Sequence, residues 1–325
     1  MVLVAMYSLT TGPYPMTTID AFNAFIGNGS YAHRVVIWNI RMMRIATAIF
    51  AGAALAVSGM VMQNVLRNPL ASPSTLGVSH AASFGAAFGI VVLGAGSTQA
   101  HSVSFDLPFF LALCAFASTL MSTGVILLLA RIRDASTETM ILAGVAMASL
   151  FTAGTTSLRY FASDEVQLAS IIFWTFGDLG RTDWTLVTII SVGTVATLIY
   201  FFLNRWRYNA MNSSEEVAHT LGVNTSRTRI LGLLISSLLT ALVVSFVGII
   251  GFVGLVVPHI VRRIVGTDAR FLIPGCCIAG ALLLLVSDTV ARTLLSPVIM
   301  PVGILTSFLG APLFIYLIIR GRKHW

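Results

Sequence analysis

The chain of 325 residues is 57% hydrophobic and only 10% charged, with a mean hydropathy of +0.91. Soluble domains carry roughly 25% charged residues, so this composition excludes a soluble globular protein and points to an all-α polytopic membrane protein. At ~20 apolar residues per span the length accommodates roughly ten helices, so residues 1–325 read as one transmembrane domain.

Met1–Leu9 is apolar, but at 1.5 Å per residue it reaches only about half of a ~30 Å hydrocarbon core. A stunted first helix, or a start lying inside that helix, is expected. The charged leader and cleavage site of a signal peptide are missing. Beyond Gly12–Pro13, residues Ile19, Phe22, Phe25 and Ile26 recur at helical spacing and predict a helix on the outer interface. Arg44–Leu66 is the second span, entered past Arg41 and Arg44. Its small residues, Gly52, Ala53, Ala54, Ala56, Ser58 and Gly59, allow close helix approach. Pro69 and Pro73 then end it amid Asn and Ser, giving irregular backbone that is tolerated at membrane depth only inside protein or beside water.

Spans three and four are predicted at about 78–93 and 107–129, the latter returning inside at Arg131 and Arg133. Span five, about 140–160, is unusually polar, with Gly144, Thr152, Thr155, Thr156 and Ser157. Such hydroxyls line a pathway or bond back to the preceding turn, the second being commoner. Asp164–Trp184 is an outer segment with Phe173, Trp174, Phe176 and Trp184 for the headgroup belt. Spans six to ten follow at about 186–203, 230–247, 249–264, 271–290 and 302–319. Ten crossings put both termini in the cytoplasm. Thirteen of the nineteen basic residues but five of the twelve acids then fall inside, so the net charge of +7 is positive-inside topology and implies no nucleic acid.

Between spans six and seven lies the longest polar stretch, Asn204–Arg229. Asn212–Ser213–Ser214 followed by Glu215 and Glu216 reads as a helix start, and Gly222 stands where a helix end wants a left-handed residue. A short helix, Glu215–Leu221, is expected at the cytoplasmic face, with Val217, Leu221 and the neighbouring Ala218 as a small apolar docking side. The alternative is a solvated connector with ordinary capping.

Catalytic signatures are missing. The single lysine, Lys323, leaves no phosphate-binding loop, and there is no HExxH, GxSxG or pair of intramembrane carboxylates. Asp288 is the one acid well inside a span, and Arg292 one turn away accounts for it as an i, i+4 ion pair. Cys114, Cys276 and Cys277 lie in apolar runs, and the six histidines form no i, i+3 or i, i+4 pair, so they read as structural. A channel or secondary transporter would need buried acids or charged discontinuous helices, and a polytopic enzyme would need a catalytic constellation.

Six ordered blocks resemble the FecCD family, the permease subunits of ABC importers for iron–siderophore complexes, haem and cobalamin. They are Gly52–Ser79, Leu142–Phe151, Phe173–Gly180, Gly251–Gly275, Ser287–Leu294 and Pro301–Ile318. EEVAHTLGV is similar to the family's coupling loop. RMMR (Arg41–Arg44) is similar to its entry motif, which often has a proline before the second arginine. The resemblance implies the ABC-importer permease fold of ten helices per subunit, in a homodimer in the cell membrane of a bacterium or archaeon. It also implies two ABC ATPase subunits carrying the ATP and Mg, no cofactor on this chain, and an extracytoplasmic substrate-binding protein. By position, Glu215, Glu216, Ala218, His219, Leu221 and Gly222 would couple to the ATPase. Leu76, Gly77 and Val78 with Gly144 and Met147 would form a cytoplasmic gate, Met147, Phe151 and Thr155 would line the pathway, and Arg41, Arg44 and Arg292 would face acids of the binding protein. An iron(III)–siderophore is the expected cargo, with haem and cobalamin as alternatives.

Overall fold

The computed structural model describes residues 1–94, 107–132, 136–212 and 215–320. Among these residues the fold is helical, without strands. In chain order the elements are α1 (Val2–Thr10), α2 (Thr18–Phe25), α3 (Tyr31–Val35), α4 (Met42–Val65), α5 (Val78–Val91), α6 (Leu107–Ile132), α7 (Thr137–Tyr160) and α8 (Glu165–Thr175). Then come α9 (Trp184–Leu203), α10 (Arg205–Asn212), α11 (Glu215–Thr220), α12 (Thr225–Val247), α13 (Val253–Val265), α14 (Ala269–Thr293) and α15 (Val302–Arg320).

Six helices are long and apolar enough to cross a membrane, and α5 and α15 are shorter apolar helices. With α1 and the thirteen-residue α13, ten segments stand where ten spans are predicted. The second span departs most from its predicted bounds. A π-helical stretch, Val36–Arg41, joins α3 to α4 in one helix of 35 residues, Tyr31–Val65. At 1.5 Å per residue this is far longer than the bilayer core, so its N-terminal part projects beyond it. The predicted interfacial helix forms as α2, closed by a capping box between Thr17 and Asp20. Phe22 and Ile19 on it are exposed, and Phe25 stacks on Trp38 at 5.4 Å.

α4 is the hub. From Ala51 to its last residue it is entirely buried, and the helix is ringed by α9, α12, α13 and α14. The small residues make this possible. A Cβ on Gly52 would strike the carbonyl of Gly280 in α14, and one on Gly59 would strike the carbonyl of Gly254 in α13. Here backbone meets backbone, which maximises dispersion contact where lipid supplies no hydrophobic drive between helices.

Two irregular segments interrupt the bundle. After α4, residues 66–77 form linked turns that close on Gly77, whose φ of 76° is left-handed and suits glycine. After α12, Gly248 (φ 81°) and Phe252 (φ 65°) bend the chain into α13. Phe252 is a bulky residue in a strained conformation, held there by Gly310, where a side chain would collide with its ring.

Candidate functional site

The two irregular segments and α7 enclose a cavity of about 530 Å³. Its wall includes Ser79, His80, Ser83, Thr155, Thr156 and Arg159, and Phe252 and Leu255 close the far side. A second, more open hollow of about 620 Å³ shares His80, Thr152 and Thr156 and runs along the exposed side of α7. The α7 hydroxyls do both things the sequence allowed. Thr152, Thr155 and Thr156 each donate to the carbonyl four residues back, at 2.7, 2.8 and 2.9 Å, and all three border a hollow.

The residues predicted for the gate are brought together. A Cβ added at Gly77 would lie 3.0 Å from the Ala148 nitrogen and 3.1 Å from the Gly144 carbonyl oxygen, and one added at Gly144 would lie 2.9 Å from the Leu76 Cα. The turn before α5 therefore rests on α7 through two glycines, with Leu76 and Val78 buried beside them. Of the three predicted lining residues, only Thr155 borders the cavity. Met147 and Phe151 point into the helix packing instead, Phe151 meeting Phe84 at a ring separation of 5.4 Å. Spacing along α7 places all three in one region but does not say which neighbour each face meets.

The polar stretch after α9 holds two helices rather than one. α10 is clamped to the bundle: Tyr208 and Met211 are buried, Arg67 donates to the Met211 carbonyl at 3.0 Å, and Asn209 bridges Asp268 at 2.8 Å and the Ala269 amide. Asp268 caps α14 and takes two bonds from Arg270, which hold its carboxyl well below the usual carboxylate range, with Asn209 adding to the effect. α11 is shorter than predicted, Glu215–Thr220, and Ser213 and Ser214, the expected caps, lie outside the described residues. Gly222 behaves as predicted. At φ 75° it donates to His219 at 2.9 Å while Val223 donates to Ala218 at 3.0 Å, a Schellman closure. Ala218 needs correction as a docking residue: it is fully buried with Ala210 and Met211 and anchors α11 to α10. Glu216, Val217, His219 and Leu221 stay exposed, Leu221 at 67%.

Arg41, Arg44 and Arg292 do not face outward, contrary to expectation. They are 2%, 5% and 3% exposed. Arg44 donates from Nε and Nη2 to Asp288 Oδ1 at 3.1 and 3.0 Å, and from Nη2 to Asp178 at 2.9 Å. Arg292 makes the predicted pair with Asp288 at 2.9 Å and also donates to Ser8 and to the Thr11 carbonyl. Arg41 donates to the carbonyls of Leu9 and Tyr14. The end of α1 covers Arg41 and Arg292, and Arg44 lies between Asp288 and Asp178, so their charge is spent on tying α1, α4, α14 and the Gly177–Gly180 turn together. Asp178 completes that tie, its amide bonded to Val247 and its carboxylate to Gly180. Sequence reading missed Asp178, His80 and Arg159. A lone intramembrane acid with two arginines at the same depth was the available signal for the first, and for the other two there was none.

A helical bundle of about ten segments, organised on a glycine-rich hub and enclosing a polar cavity beside irregular backbone, is the architecture of a membrane permease. The model of the FecCD transport family matches residues 1–320. The chain is 52% identical over 323 residues to a Methanocaldococcus jannaschii protein named as an ABC transporter permease, covering 99% of this chain and 92% of that one. It is 37% identical over 330 residues to the hemin transport system permease protein HmuU of Yersinia pestis, covering 100% and 94%. A solved structure described as an inward-facing metal-chelate type ABC transporter superposes with a TM-score of 0.85 at 31% identity, covering 98% and 96%. The chain belongs to the FecCD transport family and is an ABC importer permease.

Proposed function

We propose that this permease works as a homodimer with two separate ATPase subunits and an extracytoplasmic binding protein, and that it carries an iron(III) chelate into the cell. The observation that carries the reading is the α10–α11 unit. It is fastened to α14 and to the turn after α4, and α11 presents Glu216, Val217, His219 and Leu221 to water. A rigid foot with an exposed apolar and charged tip can pass a push from an ATPase to the segment that carries the gate. The exposed flank of α7, with Leu142, Val145 and Leu150 uncovered beside its hydroxyls, suits a second copy across a shared pathway. The structural neighbour, a metal-chelate type transporter, supports the cargo class, and the hemin permease relative favours haem as the second reading. The positive-inside bias supports an orientation with α11 and both termini in the cytoplasm.

The test is uptake and ATP hydrolysis in proteoliposomes holding this chain and its co-encoded ATPase, challenged with loaded binding proteins. ATP-dependent uptake of an iron chelate is the expected result. Gradient-driven flux through the chain alone would overturn the reading, and stimulation by a haem-loaded protein only would select the second cargo.

A further inference from the structure

We infer that the 530 Å³ cavity selects anionic, oxygen-rich chelates through His80 and Arg159. This rests on the importer reading and narrows it from a metal chelate to a charge class. Both side chains line the cavity, and its wall contains no Asp or Glu among the described residues. No ion pair among the described residues neutralises Arg159. Nδ1 of His80 and Nε of Arg159 are buried with no hydrogen-bond partner. Such an arrangement is costly in a folded protein unless something else recovers the energy, because a buried polar group without a partner carries its full desolvation penalty.

The contrast with the other arginines gives the argument its force. Arg44 and Arg292 share Asp288, and Arg41 is held by carbonyls. The bundle thus supplies acceptors to these three arginines, and no carboxylate to the one beside the cavity. Around these two groups, Ser79 and Ser83 offer short hydroxyls that can turn to donate or accept, while Thr155 and Thr156 keep their hydrogens on their own helix. Hydroxyls bind weakly and adapt to many oxygen positions, while an uncompensated cation in a low-dielectric site attracts anions and repels cations. A volume of this size fits the range of small-molecule sites. The wall thus favours passage by charge without gripping one shape.

The experiment measures retention of radioactive iron on the full permease in nanodiscs, without a binding protein. The probes are an anionic iron(III) tris-catecholate and a neutral iron(III) tris-hydroxamate. The wild type is expected to retain the anionic probe about tenfold more tightly, with sulfate competing. Arg159→Gln and His80→Gln should each lower that preference, Arg159→Lys should keep it, and Arg159→Glu should turn it toward the neutral probe. Elution of each variant as the wild-type species serves as the folding control, and the ratio between probes is a readout that a general packing defect does not shift. Equal retention of the two probes, retention of neither, or a ratio indifferent to Arg159→Glu overturns the inference. Failure of ATP-driven uptake would sink the importer reading while leaving this binding ratio measurable.

Discussion

Asp288 shows how one side chain organises one end of the bundle. It is fully buried and accepts from Arg44 on one oxygen and Arg292 on the other. Removing one partner of a buried charge group strands the rest, at about 3–5 kcal/mol. Asp288→Ala is therefore expected to lower the thermal unfolding midpoint sharply in detergent. Asp178→Asn should cost much less, because the Asp178 side chain is 32% exposed and its place on Arg44 can be taken by water. Replacing the group together, as Arg44→Met, Asp288→Leu and Arg292→Met, should unfold closer to wild type than Asp288→Ala alone. A triple variant less stable than the single one would show that the ion group contributes net stability.

At the scale of elements, glycine decides which helices can touch. Gly59→Ala places a methyl in the Gly254 carbonyl, with backbone on both sides and no side chain to yield. Overpacking of this kind costs about 1–3 kcal/mol, read as a lower yield of folded protein and a lower unfolding midpoint. Gly144→Ala meets the Leu76 Cα at 2.9 Å and should slow ATP-driven uptake more than it lowers stability, since it wedges a turn against α7 at the proposed gate. Equal loss in both measurements would make Gly144 a packing residue only. Gly222→Val cannot hold φ 75° without strain and should unravel the end of α11, weakening retention of the ATPase on an affinity column while the permease still folds. Undiminished retention would remove α11 from the docking surface.

For the whole molecule, the predicted orientation makes a labelling test simple. Asn28 lies in the turn between α2 and α3, and Thr220 ends α11, both exposed. With a membrane-impermeant maleimide, Asn28→Cys should react on intact cells, and Thr220→Cys only after permeabilisation. The reverse pattern would invert the topology and, with it, the assignment of α11 as the ATPase side. The native cysteines are a small background: Cys276 is buried, and Cys114 and Cys277 are partly so.

The number of helical segments, the short capped helix in the polar stretch and the amphipathic α2 were legible in the sequence because each depends on local pattern. Apolar runs of membrane length, a cap beside acids, a glycine after a short helix and aromatic spacing keep their meaning wherever the chain folds. The ordered motif blocks carried the family for the same reason. What only the tertiary structure decided are relations between distant residues: Arg44 with Asp288, 244 positions apart, the burial of Ala218, the turning of Met147 and Phe151 away from the cavity, and the presence of His80 and Arg159 on one cavity wall. A residue's periodicity states which face it occupies, whereas the neighbour on that face depends on how helices cross. In this bundle the crossings are set by where the backbone of α4 carries no side chain to hold its neighbours off.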